Sequence, residues 1–258
     1  MNITVVGGTG LIGARVVRIL EAEGHRVVAA ARATGVNSYT GEGLEVALDG
    51  AEVVVDVSNS SYTDEAAARE FFYASTLNLL TYGAAAGVAH HVALSVVGTD
   101  RLARAEGGYF QAKDEQERLI VQSGRPYSLV HATQFYEFIR SIIDNAVNGG
   151  IVRLADARIQ PMAADDVAAA VAGVATGAPL GGVAEFAGPE VFDLADLARR
   201  DLRARRDPRE VVADPLSTYF GAWLASDDLL PDADAHLVSK RFDDWLNDSS
   251  SISPLPIS

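Results

Sequence analysis

The run "NITVVGGTGLIGARVV", residues 2–17, limits this chain's fold more than any other. Its start is short and apolar, like a buried strand. Leu11, Ile12, Val16, Ile19 and Leu20 then recur at the helical period. Between them stand Gly7, Gly8, Gly10 and Gly13, so a G-x-G-x-x-G spacing falls between strand and helix. One glycine lets the chain turn out of the strand, another leaves room for a pyrophosphate, and a third lets the helix lie close. The helix start offers free N–H groups and the positive end of its dipole. Gly7, Thr9, Gly10, Leu11, Ile12 and Gly13 are therefore expected to hold a dinucleotide.

The same alternation continues. Residues 26–32, 51–58, 90–98 and 126–132 read as apolar strands, and 64–87, 109–123 and 134–147 as helices. Strands apolar on both faces, separated by helices, specify a parallel sheet covered on both sides. Crossovers in such a sheet are right-handed. The expected fold class is α/β, a Rossmann-type doubly wound parallel sheet. Residues 1–150 form its nucleotide-binding core, and 151–247 a small C-terminal substrate cap of the same domain. In that stretch 149–154 reads as a strand, 160–177 as a helix, 183–188 as an edge strand and 193–206 as an amphipathic helix. The tail "SSSISPLPIS" has no periodicity, and 248–258 is expected to be disordered.

Composition excludes several functions. The net charge of −14 argues against a nucleic-acid partner, because phosphate binding needs a basic face. The absence of cysteine removes disulfides and thiolate metal sites, and no histidine spacing suggests a metal. No apolar stretch reaches the roughly 18 residues of a membrane span, and the N-terminus lacks the pattern of a signal peptide. A cytoplasmic protein acting on a small molecule is expected.

The end of the second strand selects the dinucleotide. An acid about 20 residues beyond the glycines would bond a ribose 2′-OH. Here the chain reads "AAARATG", residues 29–35, with Arg32 in that place. A guanidinium can hold a 2′-phosphate, and Thr34 can add a hydroxyl. NADP(H) is the expected cofactor.

Tyr109 and Lys113 stand four apart at the start of a helix, so they share one face. An ammonium near a phenol favours the phenolate and lowers its pKa from about 10. Such a tyrosine can exchange a proton with a carbonyl or alcohol oxygen as hydride moves. The lysine can also bond the nicotinamide ribose. With only eight tyrosines and two lysines in the chain, coincidence is a poor account of the pair.

These segments, with "EVVVDVSNS", "LSVVG", "HATQFYEF" and "QPMAADDVA", resemble the short-chain dehydrogenases/reductases of the extended or atypical kind, close to the NmrA-like, NAD(P)-binding group. The resemblance covers roughly residues 1–247. It implies that Val57, Ser58 and Asn59 line the adenosine-ribose and nicotinamide side of the groove. It also implies that Thr133, Gln134 and Phe135 hold the nicotinamide or face substrate. A third catalytic hydroxyl is expected beyond strand 90–98, with Ser95 as first candidate and Thr99 as fallback. The implied activity is reduction of a ketone, quinone or similar electron-poor molecule by NADPH, a ketoreductase-like oxidoreduction. Phe135, Tyr136, Phe138, Tyr219 and Trp223 would suit a hydrophobic or aromatic substrate. The group also contains NADP(H) sensors without turnover, and epimerisation or dehydration on the same fold stands as a further alternative.

Overall fold

The computed structural model describes residues 1–105 and 108–248. In chain order the elements are β1 (Asn2–Val6), α1 (Gly13–Ala22), β2 (Arg26–Ala30), α2 (Leu44–Leu48), β3 (Val53–Asp56), α3 (Glu65–Ala86), β4 (His90–Val96), α4 (Thr99–Arg104), α5 (Gly108–Gln122) and β5 (Tyr127–Ala132). They continue with α6 (Ile139–Asn145), β6 (Val147–Asn148), β7 (Ile151–Leu154), β8 (Arg158–Ile159), α7 (Ala164–Thr176), β9 (Gly182–Ala187), β10 (Phe192–Asp193), α8 (Leu194–Ala204), β11 (Glu210–Ala213), β12 (His236–Leu237) and α9 (Phe242–Asn247).

Seven strands form one sheet in the order β2-β1-β3-β4-β5-β9-β12, and every ladder in it is parallel. This is the Rossmann-type α/β fold expected from the alternation. Strand side chains alternate between the two faces. On one face Val5, Val55, Val92 and Val130 pack with Val16 and Leu20 of α1 and Val167 and Val171 of α7. On the other, Val6 and Val54 meet Leu44, Leu48 and Leu79, and Ala93 and Leu129 meet Ile120 of α5. The longest helix, α3, starts where the Asp64 carboxylate accepts the Ala67 N–H at 3.0 Å, a side-chain N-cap.

After residue 150 the chain does not stay in a cap. Helix α7 and strand β9 return to the sheet, β9 beside β5, because their apolar faces complete the sheet's two layers. The expected edge strand is instead covered by the two-residue β12. The cap consists of α6, the small sheets β6-β7-β11 and β8-β10, α8, α9 and their loops. Residues 249–258, where the sequence suggests a disordered tail, lie outside the described residues. Among the described residues no helix is long and apolar enough to cross a membrane.

The sheet order reverses between β1 and β3, since β2 lies on one side of β1 and β3 on the other. Ligands of open α/β sheets bind beyond the strand ends at such a point.

Candidate active site

Two turns meet at that reversal. The glycine turn leaves β1, and residues 57–59 leave β3. A Cβ placed on Gly7 would stand 2.9 Å from the Ser58 nitrogen, and Gly7 has φ +80°. A Cβ on Gly13 would stand 2.1 Å from the Gly7 oxygen, too close for any side chain. These glycines are thus needed to bring strand, turn and helix together. Gly10 differs: it is exposed, and its nearest obstacle is the Gly7 oxygen at 3.2 Å. It leaves open the space in front of the turn.

The turn's donors fit a pyrophosphate. The Gly10 N–H bonds the Gly7 oxygen, but the N–H groups of Thr9, Leu11, Ile12 and Gly13 have no acceptor among the described residues. Orphan donors at a helix start are an anion site. Gly13→Ala is expected to destabilise the protein by about 1–3 kcal/mol. Gly10→Ala should fold normally and instead weaken nucleotide binding. Urea unfolding and NADPH titration of both variants check this contrast.

At the end of β2, Arg32 sits in a 3-10 turn, Arg32–Thr34, with its side chain exposed and without a hydrogen bond or ion pair among the described residues. The Thr34 hydroxyl accepts the Ala31 N–H at 2.9 Å and lies 2.8 Å from the Ala29 carbonyl oxygen. It helps shape the turn that carries Arg32.

Tyr109 and Lys113 share the inward face of α5, as their spacing requires, and both are buried. The Tyr109 hydroxyl donates to Asn59 Oδ1 at 2.8 Å, and Asn59 Nδ2 donates to the Tyr62 hydroxyl at 2.5 Å. The Tyr62 ring lies 4.6 Å from the rings of both Tyr109 and Phe138. Phe220, held at φ 47°, closes the far side of Tyr62. Aromatic rings thus pack around the phenol, whose hydroxyl meets the exposed Asn59.

The electrostatics correct one expectation. Burial pushes the Tyr109 phenol well above its ordinary value, and the neighbouring Tyr62 adds to the rise. Lys113 does not offset this. Its ammonium donates to the Leu94 carbonyl at 2.8 Å and to Gln116 Oε1 at 2.5 Å, and it lies 4.8 Å over the Phe72 ring. Burial lowers the Lys113 pKa to about 8, against the pull of Asp56 and Glu117. Tyr109 therefore keeps its proton at neutral pH.

Ser95 and Thr99 bond within the fold. The Ser95 hydroxyl donates to Glu117 Oε1, and the Thr99 hydroxyl donates to the Val96 carbonyl at 2.6 Å. Both hydroxyls are buried and neither bonds Tyr109. Glu117 faces His131, whose Nε2 lies 3.1 Å away, and His131 Nδ1 lies 3.7 Å from Glu185. Burial alone would discharge His131, but the two carboxylates outweigh it and raise its pKa to about 9.

Beyond β5, Thr133 and Gln134 are buried. The Thr133 hydroxyl and the Gln134 amide have no well-formed hydrogen bond, although Gln134 lies against the Tyr219 hydroxyl. Gln134 and Phe135 are tied to the strand segment at Met162. Unpaired buried polar atoms invite a ligand. Tyr136, expected among the substrate aromatics, instead packs on Phe242 and Trp245 and donates to the Lys240 carbonyl at 3.0 Å. Trp223 is half exposed. Tyr62, Asp56, Gln116, Glu117 and His131 were not foreseen. Gln116 and Glu117 follow Lys113 by three and four residues, a helical signal available in the sequence.

Comparison with known proteins accords with this geometry. The chain is similar to the photosystem II assembly factor Ycf39 of Synechocystis, with 26% identity over 53% of this chain and 46% of that protein, so the match spans about half the relative's length. Its fold is similar to that of a nucleoside-diphosphate-sugar epimerase from Staphylococcus aureus, with TM-score 0.67 and 17% identity over 95% of this chain and 99% of that one. It is also similar to an NADPH-dependent quinone oxidoreductase from Escherichia coli in complex with NADPH, with TM-score 0.60 and 23% identity over 83% and 78% of the two chains. A family model matches residues 3–133, just over half of the chain, running from β1 through the glycine turn, Arg32, Asn59 and the Tyr109–Lys113 pair to the end of β5. The chain carrying this groove belongs to the NAD dependent epimerase/dehydratase family.

Proposed function

We propose that this protein is an NADPH-dependent reductase of a ketone, quinone or similar electron-poor small molecule. The observation that carries the reading is the enclosed Tyr109 phenol, protonated at neutral pH, one helical turn from Lys113. Bound NADPH supplies a hydride. The glycine turn binds the pyrophosphate through its unpaired N–H groups, and Arg32 takes the 2′-phosphate. Val57, Ser58 and Asn59 line one side of the groove and Thr133, Gln134 and Phe135 the other. Tyr109 gives its proton to the substrate oxygen. A phenol that keeps its proton has one to give, as reduction of a carbonyl requires. Lys113 binds the nicotinamide ribose rather than acidifying Tyr109. Tyr62, Phe138 and Phe220 enclose an aromatic or hydrophobic substrate.

Arg32→Asp replaces the 2′-phosphate partner with a repelling carboxylate that can accept from a ribose 2′-OH. The preference for NADPH over NADH should fall by about 1 kcal/mol or more. Titrating both cofactors against both proteins measures it, and an unchanged ratio would remove Arg32 from the site.

Two observations favour other readings. The family match favours epimerisation or dehydration. The likeness to an assembly factor favours a protein that binds NADP(H) without turnover and acts on a partner. Steady-state NADPH consumption with a panel of ketones and quinones separates the first from the other two. A reductase consumes cofactor. An epimerase returns its hydride and shows no net consumption, and a sensor binds NADPH unchanged.

A further inference from the structure

Behind the Tyr109–Lys113 pair lies a buried polar chain that the proposed reaction does not use. Gln116, on α5 one turn beyond Lys113, is 2% exposed. Its Oε1 accepts from the Lys113 ammonium at 2.5 Å, and its Nε2 donates to Asp56 Oδ2 at 3.0 Å. Asp56 is equally buried, at the end of β3. Its other oxygen accepts the Ser58 N–H at 3.0 Å and the Ser58 hydroxyl at 2.6 Å. The orientation of the amide is forced. An ammonium only donates and a carboxylate only accepts, so the Gln116 oxygen must face Lys113 and its nitrogen Asp56.

We infer that Gln116 is a positioning residue that holds the Lys113 ammonium at the cofactor groove and ties it to the Asp56–Ser58 turn. The amide stands between a buried cation and a buried anion that would otherwise attract one another strongly. Asp56 and Lys113 form no direct ion pair; Gln116 relays between them. Two of the three ammonium donors are taken by Gln116 and the Leu94 carbonyl, which leaves one for a ribose hydroxyl. The same glutamine joins α5 to the turn that borders the glycine loop. This inference rests on the reading of Lys113 as a cofactor ligand.

The charged and polar groups facing the ammonium are Asp56 from β3, Glu117 and Gln116 from α5, and the Leu94 carbonyl from β4, with the Phe72 ring from α3. Among them Gln116 is the neutral spacer. Without it Lys113 can pair directly with Asp56, which draws it off the groove and stabilises its charge.

The test is NADPH titration of wild type, Gln116→Leu and Lys113→Met between neutral and alkaline pH. Wild-type binding should weaken as pH rises through about 8, where Lys113 loses its charge. Lys113→Met should bind about tenfold or more weakly at neutral pH and lose that alkaline limb. Gln116→Leu should also bind about tenfold more weakly at neutral pH, with its alkaline limb moved to higher pH. A merely structural role for Gln116 would lower stability without moving the limb. Should Gln116→Leu not fold, Gln116→Glu replaces it: the added carboxylate faces Lys113 and Asp56 and should move the limb the same way. Wild-type affinity and limb in the Gln116 variant, with Lys113→Met impaired, would overturn the positioning role. Wild-type binding in Lys113→Met would overturn the reading of Lys113 itself, and the inference with it.

Discussion

Tyr109→Phe is expected to bind NADPH as wild type does and to turn over roughly 10²–10⁴ times more slowly, the usual worth of a positioned acid. The substitution keeps the ring, so its edge contacts with Phe72 and Phe110 and its packing on Tyr62 persist. It removes one hydrogen bond, to Asn59 Oδ1, and that amide lies at an exposed residue where water can replace the phenol. Folding should therefore change little, and the loss in rate reads the proton. Tyr62 is the neighbour that could compensate, since Asn59 links the two hydroxyls. Tyr62→Phe alone should cost less than Tyr109→Phe if Tyr109 is the donor. Steady-state kinetics with a competent ketone or quinone measure both. Equal losses in the two variants would make the phenol pair, rather than Tyr109, the acid.

His131→Leu should cost stability rather than chemistry, by about 3–5 kcal/mol at neutral pH. His131 is the cation between Glu117 and Glu185, and all three side chains are largely buried. Burial opposes the charge on Glu117, yet His131, Ser95 and Lys113 together hold its carboxyl below the usual range. Glu185 is held down chiefly by His131 beside it, with Arg101 adding a smaller pull. Leucine would leave two buried carboxylates with one weaker cation each. The pH dependence has a definite sign. The histidine pKa is raised on folding, so its contribution is complete below about 6.5. It is lost as pH rises through about 9. The carboxylate pKa values are lowered, so their contribution is lost in acid. The gap in unfolding free energy between wild type and His131→Leu should then narrow above pH 9, as read by urea denaturation at several pH values. A gap that is small at neutral pH, or constant to strong alkali, would show that the cluster carries no net stabilisation.

What the sequence revealed follows from the range of the forces involved. The strand–glycine turn–helix unit is local, so β1, the turn and α1 were legible, as was the helical face shared by Tyr109 and Lys113. The parallel sheet was legible because strands buried on both faces lose their alternation. The short helices α2 and α4 were not, since five or six residues between glycines show no period. The reading of 160–177 as one helix began too early. Pro161 and Met162 run extended because the Met162 N–H bonds Gln134 and its carbonyl receives the Tyr136 N–H. That constraint comes from a segment about 25 residues away. The direction of the Tyr109 pKa was misjudged for a similar reason. Helix spacing placed Lys113 nearby, but Leu94 and Gln116, which engage its ammonium, meet it only once β4 and α5 pack. Gln116 and Glu117 could have been read from their spacing. Their partners Asp56 and His131 sit on different strands, and strand register is a long-range property.

The most direct test of the central claim is a single turnover. Protein saturated with NADPH is mixed rapidly with a quinone or ketone, and loss of the reduced nicotinamide signal is followed for ordinary NADPH and for NADPH deuterated at the transferred position. The account predicts one exponential decay, slower with deuterium and slower again by roughly 10²–10⁴ in Tyr109→Phe. NADPH that binds tightly and stays reduced with every acceptor, or a decay identical in wild type and Tyr109→Phe with the isotope effect intact, would contradict it.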